Sequence, residues 1–371
     1  MKIFSCSTCH QTVFFENVSC TRCGHALAYL PDRGLVSGIE PVDAPESTTP
    51  ADAPPGQRWR ALAADGAEYR LCRNGTEYGV CNWAVPAEDA HELCRACRLN
   101  VLIPPLGDPA ARAAWALIEA AKRRLVYSLL QLGLPVDPRF DDPQRGLAFR
   151  FMKELPGEKV TTGHADGVIT LDVAEASDPH RESTRVKLGE PYRTLLGHFR
   201  HEIGHYYWLR LVSATPWLSR CRERFGDDRA DYAEALRVHY ERGAPAGWQE
   251  RFVSAYASMH PAEDWAETFA HHLHLVDTLE TARALGLSVR AEPTAQGDVP
   301  LPKVAARAVD PGDFDALLGA FVPLTLALNE LNRSMGLQDT YPFVLSPPAI
   351  DKLRFVHEVV AANADCPSQR S

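Results

Sequence analysis

What the 371-residue sequence lacks narrows it first. No run approaches the roughly 18 consecutive apolar residues of a membrane-spanning helix, so no membrane association is expected. The opening residues, Met1-Lys2-Ile3-Phe4-Ser5-Cys6, hold no apolar core of a secretory signal, and a cytoplasmic location is expected. Basic charge is in deficit. Lys and Arg number 39 against 48 Asp and Glu, and the net charge of −9 argues against non-specific nucleic-acid binding. Repeats at solenoid spacing are absent. With 45% hydrophobic and 23% charged residues, the balance excludes wholesale disorder.

Cysteine is the residue in excess. The chain has ten, eight of them within the first 97 positions, and in a reducing compartment that favours metal ligands over disulfides. Cys6-x-x-Cys9 and Cys20-x-x-Cys23 can each place two thiolates on one tight turn, and two such turns complete a tetrahedral site. Cys72, Cys81 and Cys94-x-x-Cys97 form a second four-thiolate set, with one close pair and one looser pair. His10 and His25 sit beside ligand cysteines and are alternatives to one of them; Cys221 and Cys366 stand alone as bystanders. A closed four-cysteine site leaves the metal no open position, so these two zincs are expected to be structural, and the ribbons to recruit a substrate or a protein partner. Nucleic acid is disfavoured, because residues 1–30 hold only Lys2 and Arg22, and residues 92–98 only Arg95 and Arg98.

Composition divides the chain. Residues 1–30 read as a first zinc-ribbon half, and residues 31–57, rich in Pro, Ala and Thr, as a linker or long loop. Residues 58–107 read as a second cysteine-rich segment with Trp59, Tyr69, Tyr78 and Trp83 for a small core. Residues 108–371 read as one large, mostly helical domain with a small sheet. Helices are predicted over 109–132, after Pro191, and over 228–241, 250–258, 261–284, 313–335 and 348–363; strands are predicted near 146–152 and 167–173.

His201-Glu202-Ile203-Gly204-His205 is an HExxH motif. Residues i and i+4 lie on one helix face, so both imidazoles can reach one ion. Glu202 is offset by about 100° and can take the proton of a metal-bound water as general base, then pass it to the leaving amine. The extended HExxHxxGxxH pattern is excluded, because Trp208 and Leu211 occupy its Gly and His positions. A third ligand must therefore come from further along. The best segment begins a helix at Pro261 and carries Glu263 and Glu267 near a stripe of Ala266, Phe269, Ala270 and Leu273. A carboxylate beside an apolar face is costly unless paired or metal-bound. Glu263 as ligand leaves Glu267, one turn on, to orient a ligand imidazole, and the reverse assignment stays open. His260, His271, His272 and His274 crowd the same stretch, and most are expected at the surface or in the second shell.

These stretches carry a family resemblance. His198-Phe-Arg-His-Glu-Ile-Gly-His-Tyr-Tyr-Trp208, Phe225-Gly-Asp-Asp, Asp231-Tyr-Ala-Glu-Ala-Leu, the segment from Val253 to His271, Leu328-Asn-Glu-Leu-Asn-Arg-Ser-Met-Gly336 and Tyr341-Pro-Phe resemble a bacterial family of zinc-binding metallopeptidases with an N-terminal zinc ribbon. The segment from Tyr256 to Glu263 is also similar to a wider gluzincin set that includes the lethal factor and Mlc titration factor peptidases. There a tyrosine precedes the ligand glutamate by seven residues, as Tyr256 precedes Glu263 here. The resemblance implies that Glu263 is the ligand and that Tyr256 donates to the oxyanion, with Tyr341 second in line for that role.

The expectation is an α+β protein, a zinc-ribbon region followed by a zincin-like metallopeptidase domain. It would hold one catalytic zinc on His201, His205 and Glu263, two structural zincs on the cysteines, and act on a peptide or protein. Val168–Leu171 is the candidate edge strand for an extended substrate. The competing expectation is an inert zinc-binding regulatory or interaction protein, and the intact Glu202 argues against it.

Overall fold

The structure is a computed structural model that describes residues 2–45, 48–154, 160, 162–188, 190, 192–290, 304–306 and 309–364. Pro191 and Cys366, both singled out above, lie outside the described residues. The chain divides into two compact units, residues 1–131 with 136–181, and residues 132–135 with 182–371.

The first unit opens with a short hairpin, β1 (Phe4–Ser5) and β2 (Thr12–Val13). An antiparallel five-stranded sheet follows in simple sequence order: β3 (Leu27–Leu30), β4 (Leu35–Pro41), β5 (Arg58–Ala61), β6 (Glu68–Leu71) and β7 (Ala84–Pro86). Ala28, Leu30, Ile39, Trp59 and Tyr69 fill its core. The expected linker over 31–57 is corrected here, because residues 35–41 are a seven-residue strand inside that sheet. Val36 and Ile39 are buried in it, and the Pro- and Thr-rich stretch that signals a loop begins only after Pro41.

A one-turn helix α1 (Arg73–Thr76) and the long helix α2 (Pro109–Gln131) belong to this unit too. So does a second sheet in the order β10 (Gly163–Ala165), β11 (Val168–Asp172), β9 (Ala148–Met152), β8 (Asn100–Leu102). The first compact unit thus continues past residue 107. The candidate substrate strand is not an edge. Asp166 and Gly167 take positive φ (46° and 81°), fold residues 163–165 back as a hairpin, and leave β11 paired on both sides.

Helix α3 (Asp178–Leu188) crosses the division between the units, and the second unit is helical. It holds α4 (Leu195–Leu211), α5 (Trp217–Phe225), α6 (Tyr232–Arg242), α7 (Pro261–Leu285), α8 (Phe314–Ser334) and α9 (Pro347–Ala364), with a two-residue pairing of β12 (Ser288–Val289) and β13 (Val304–Ala305). The α+β class therefore holds. The predicted helix over 250–258 is instead two short 3₁₀ turns, Trp248–Glu250 and Tyr256–Ser258. Ser254 lies between them, its Oγ accepting from Ala257 N at 3.0 Å and so competing with a continuous helix.

Helices α4 and α7 form the centre of this unit. Thr194 caps α4, its Oγ1 accepting from Gly197 N at 2.9 Å. His260 caps α7, its Nδ1 accepting from Ala262 N at 3.0 Å, and Pro261 supplies the first helical φ. The two helices touch at Gly204, where a Cβ would stand 2.9 Å from Ala266 Cα and 3.0 Å from its carbonyl oxygen. Trp265 Nε1 donates to Gly204 O at 2.9 Å, and Tyr207 stacks on Phe269. Helix α8 is long and apolar enough to cross a membrane by length and composition, although no unbroken apolar run marks it in the sequence. In this unit it is a packed helix: Leu317, Ala320, Phe321 and Leu324 share a core with Leu275 and Leu279 of α7.

Candidate metal centres

The eight N-terminal cysteines form two clusters in the first unit, Cys6, Cys9, Cys20 and Cys23, and Cys72, Cys81, Cys94 and Cys97. Sulfurs bound to one tetrahedral zinc at about 2.3 Å stand about 3.8 Å apart, whereas a disulfide would hold them at about 2.0 Å. Cys6 to Cys23 and Cys9 to Cys20 are each 3.6 Å apart, and Cys81 to Cys94 is 3.7 Å. The donor sets fit zinc. His10 and His25 are outside the first cluster, and His25 Nε2 instead faces Glu40 Oε1 at 3.5 Å.

The clusters differ in exposure. In the first, Cys23 is exposed and Cys9 half-buried. In the second, Cys72, Cys94 and Cys97 are all buried. Four thiolates around a divalent ion leave a net negative charge, and burying that needs a counter-charge. The buried Arg123 of α2 supplies it: burial depresses the guanidinium's pKa, but the charges of Cys81, Cys97 and Cys94, with Glu119, outweigh that and raise it.

The third cluster lies in the second unit. His201 and His205 of α4 and Glu263 of α7 offer three donor atoms within 4.8 Å of one another. The two Nε2 atoms are 3.2 Å apart, close to the separation of about 3.3 Å for two nitrogens on one tetrahedral zinc. Glu263 Oε2 is 3.0 Å from His201 Nε2, and Glu263 Oε1 is 3.5 Å from His205 Nε2. Glu267, one turn on, faces the other side of the ring, with Oε1 2.7 Å from His201 Nδ1. Its second oxygen accepts from Ser254 Oγ at 2.6 Å. A proton on Nδ1 leaves Nε2 with its lone pair directed toward Glu263 and His205, the tautomer a metal ligand requires.

Electrostatics make the same demand. Burial pushes the Glu263 carboxyl up, but the two imidazoles outweigh it and hold it well below the usual carboxylate range. Burial pulls His201 down, yet Glu263 and Glu267 hold it well above the usual imidazole range. Two carboxylates against one ring call for a positive charge between them, and Glu263 Oε2 is buried with no hydrogen-bond donor among the described residues. These residues fit a divalent cation. Glu202 is also buried, and burial raises its carboxyl above the usual range against the pull of His201 and His205.

Tyr256 is half-buried, its ring 5.9 Å from that of His201. Tyr341 is elsewhere: its hydroxyl lies 2.6 Å from His271 Nδ1, and its ring packs on Phe321. Of the two places expected for the histidines at and along α7, the surface is excluded for three of them. His260, His271 and His272 are interior, because α7 is enclosed by α4, α8 and α9, and none of them joins a metal cluster among the described residues. Two site residues escaped the sequence reading. One is Ser254, which holds Glu267. The other is Tyr232, whose hydroxyl donates to Glu263 Oε1 at 2.9 Å. The signals for Tyr232 in the sequence were its place in the Asp231-Tyr-Ala-Glu-Ala-Leu stretch of the family resemblance and its position after Asp231, a helix-capping residue.

The architecture is that of a zinc-ribbon region joined to a metallopeptidase-type helical domain, and sequence comparison agrees. Residues 111–359 match the family described as "Putative zinc-binding metallo-peptidase", and residues 3–108 match a zinc-ribbon domain. The chain belongs to that zinc-binding metallopeptidase family. It is similar to uncharacterized protein Mb2598c of Mycobacterium bovis and uncharacterized protein Rv2568c of Mycobacterium tuberculosis. Each is 45% identical over 361 residues, covering 97% of this chain and 95% of the relative. No solved structure matches the chain.

Proposed function

We propose that the protein is a zinc-dependent peptidase of the gluzincin type, with His201, His205 and Glu263 as the ligands of its catalytic zinc. The observation that carries this reading is the convergence of two imidazole nitrogens and one buried carboxylate beside the buried carboxyl of Glu202. A zinc ion held there would polarise a peptide carbonyl and acidify a water. Glu202 is the proton carrier: a carboxyl with a raised pKa accepts the proton of the attacking water and releases it to the departing amine nitrogen. Glu267 and Ser254 fix the ring of His201, and the Tyr256 hydroxyl donates to the oxyanion that develops on the carbonyl. The two ribbons, closed by four sulfurs each, bind a substrate or partner and take no part in the hydrolysis.

Elemental analysis of the full-length protein tests the metal, with three zincs per chain expected and two in His201→Ala. The chemistry is tested by incubating the zinc-loaded protein with a mixture of unstructured peptides and reading new termini by mass spectrometry. Cleavages made by the wild type and absent with Glu202→Gln support the reading. Identical patterns for the two proteins would leave a zinc-binding interaction protein.

A further inference from the structure

Helix α6 meets the metal centre at its first residue. None of its side chains is buried, and its charges pair with one another, Arg237 with Glu234 at 2.7 Å and with Glu241 at 2.6 Å. Asp231 caps it, Oδ1 accepting from Glu234 N at 3.0 Å, and this sets Tyr232 in the first turn. From there the Tyr232 hydroxyl reaches Glu263 Oε1 at 2.9 Å. An ionised carboxylate only accepts, so the one phenolic proton goes to Oε1. Tyr256 stands on the same side of the site, its ring 5.9 Å from that of His201. One phenol thus ends on one oxygen of the candidate ligand. The other oxygen, Oε2, is buried without a hydrogen-bond donor among the described residues and lies 3.0 Å from His201 Nε2.

We propose that Tyr232 is a positioning residue of the metal centre: it engages Glu263 through Oε1 so that Oε2 alone is presented to the cation. The inference rests on the reading of His201, His205 and Glu263 as cation ligands, and is independent of whether the centre hydrolyses peptides. A residue that merely tied α6 down would affect the order of that helix. A residue that sets which oxygen faces the cation affects the cation's affinity and its coordination.

The test compares the full-length wild type with Tyr232→Phe and Tyr256→Phe. The Tyr232 side chain is 41% exposed and α6 buries nothing, so the phenylalanine variant keeps the fold. Zinc competition against a chromophoric chelator reads each site. In Tyr232→Phe, third-site affinity is expected to fall about 10–100-fold, as for other losses of a ligand's hydrogen-bond partner, with the two ribbon sites unchanged. In Tyr256→Phe all three affinities are expected to hold. Cobalt in the third site gives a second readout, because a carboxylate freed at Oε1 can bind through both oxygens, and the higher coordination number weakens the visible absorption. Wild-type affinity together with an unchanged cobalt spectrum in Tyr232→Phe overturns the proposal. Uptake of only two zincs by the wild type is a different failure, which removes the metal centre itself.

Discussion

His201 and Glu267 are joined on the side of the imidazole that faces away from Glu263 and His205, with Nδ1 2.7 Å from the carboxylate oxygen. The pair comes from two helices that cross at Gly204, so the bond fixes both the ring's tautomer and its angle. Glu267 is itself held by Ser254. Substituting Glu267→Ala frees the ring without removing a ligand, and third-site zinc affinity is expected to fall about 10–100-fold while both ribbon zincs remain. Competition titration reads all three sites in one experiment. A drop to two zincs with no measurable third site would instead make Glu267 a ligand.

Gly204 is the contact point of α4 and α7, and its conformation is ordinary helix. Its requirement is space, since a Cβ there would stand 2.9 Å from Ala266 Cα, which is backbone and cannot rotate away. Gly204→Ala raises intrinsic helix propensity by about 1 kcal/mol. Overpacking of a close helix crossing costs about 1–3 kcal/mol, and it also moves His201 and His205 relative to Glu263. The variant is expected to be less stable in urea and to lose the third zinc before the ribbon zincs. Equal or greater stability than the wild type would show that the helices part without cost.

Much of this was readable in the sequence for a physical reason. HExxH and CxxC place ligands by local geometry, one helical turn or one tight turn apart, so spacing alone states which atoms can meet. Glu263 and Glu267 were harder, because both lie near the same helical stripe. Only the crossing at Gly204 separates them, putting Glu263 against both Nε2 atoms and Glu267 against Nδ1. Tyr232 and Ser254 were not legible, since each reaches the site across a loop of irregular backbone. The strand over 35–41 was hidden by the Pro- and Thr-rich residues that follow it, and the helix expected over 250–258 was broken by one hydroxyl bonding to the backbone. The α7 histidines were left between the surface and the neighbourhood of a ligand, because their polarity was visible and the helices that enclose α7 were not.

The two ribbons should release zinc in a fixed order. Metal exchange needs access for a competing ligand, and the first cluster offers an exposed Cys23 whereas three sulfurs of the second belong to buried residues. Arg123 also offsets the charge of the second cluster from within the fold. With excess EDTA at neutral pH, release is expected in separate phases. Cys23→Ser should speed the faster ribbon phase and leave the slower one unchanged. Arg123→Met should speed the slower phase. A single shared rate for both ribbons would contradict the difference in burial.

His272 gives the second unit a predictable response to acid. The ring is fully buried, with Nε2 3.2 Å from His357 Nδ1 and with Nδ1 unpartnered among the described residues. Burial pulls its pKa down to about 3, from an ordinary value of 6.5. The unfolded chain protonates this ring below pH 6.5 and the folded chain does not, so stability is fully present above 6.5 and is lost as pH falls towards 3. Each unit in that window costs up to about 1.4 kcal/mol. Urea unfolding at pH 7.5 and 5.5, in saturating zinc, compares the wild type with His272→Leu. The wild type is expected to lose about 1 kcal/mol more than the variant between the two pH values. Identical losses would mean that His272 takes up its proton inside the fold at an ordinary pH, and that its pairing with His357 accepts a charge.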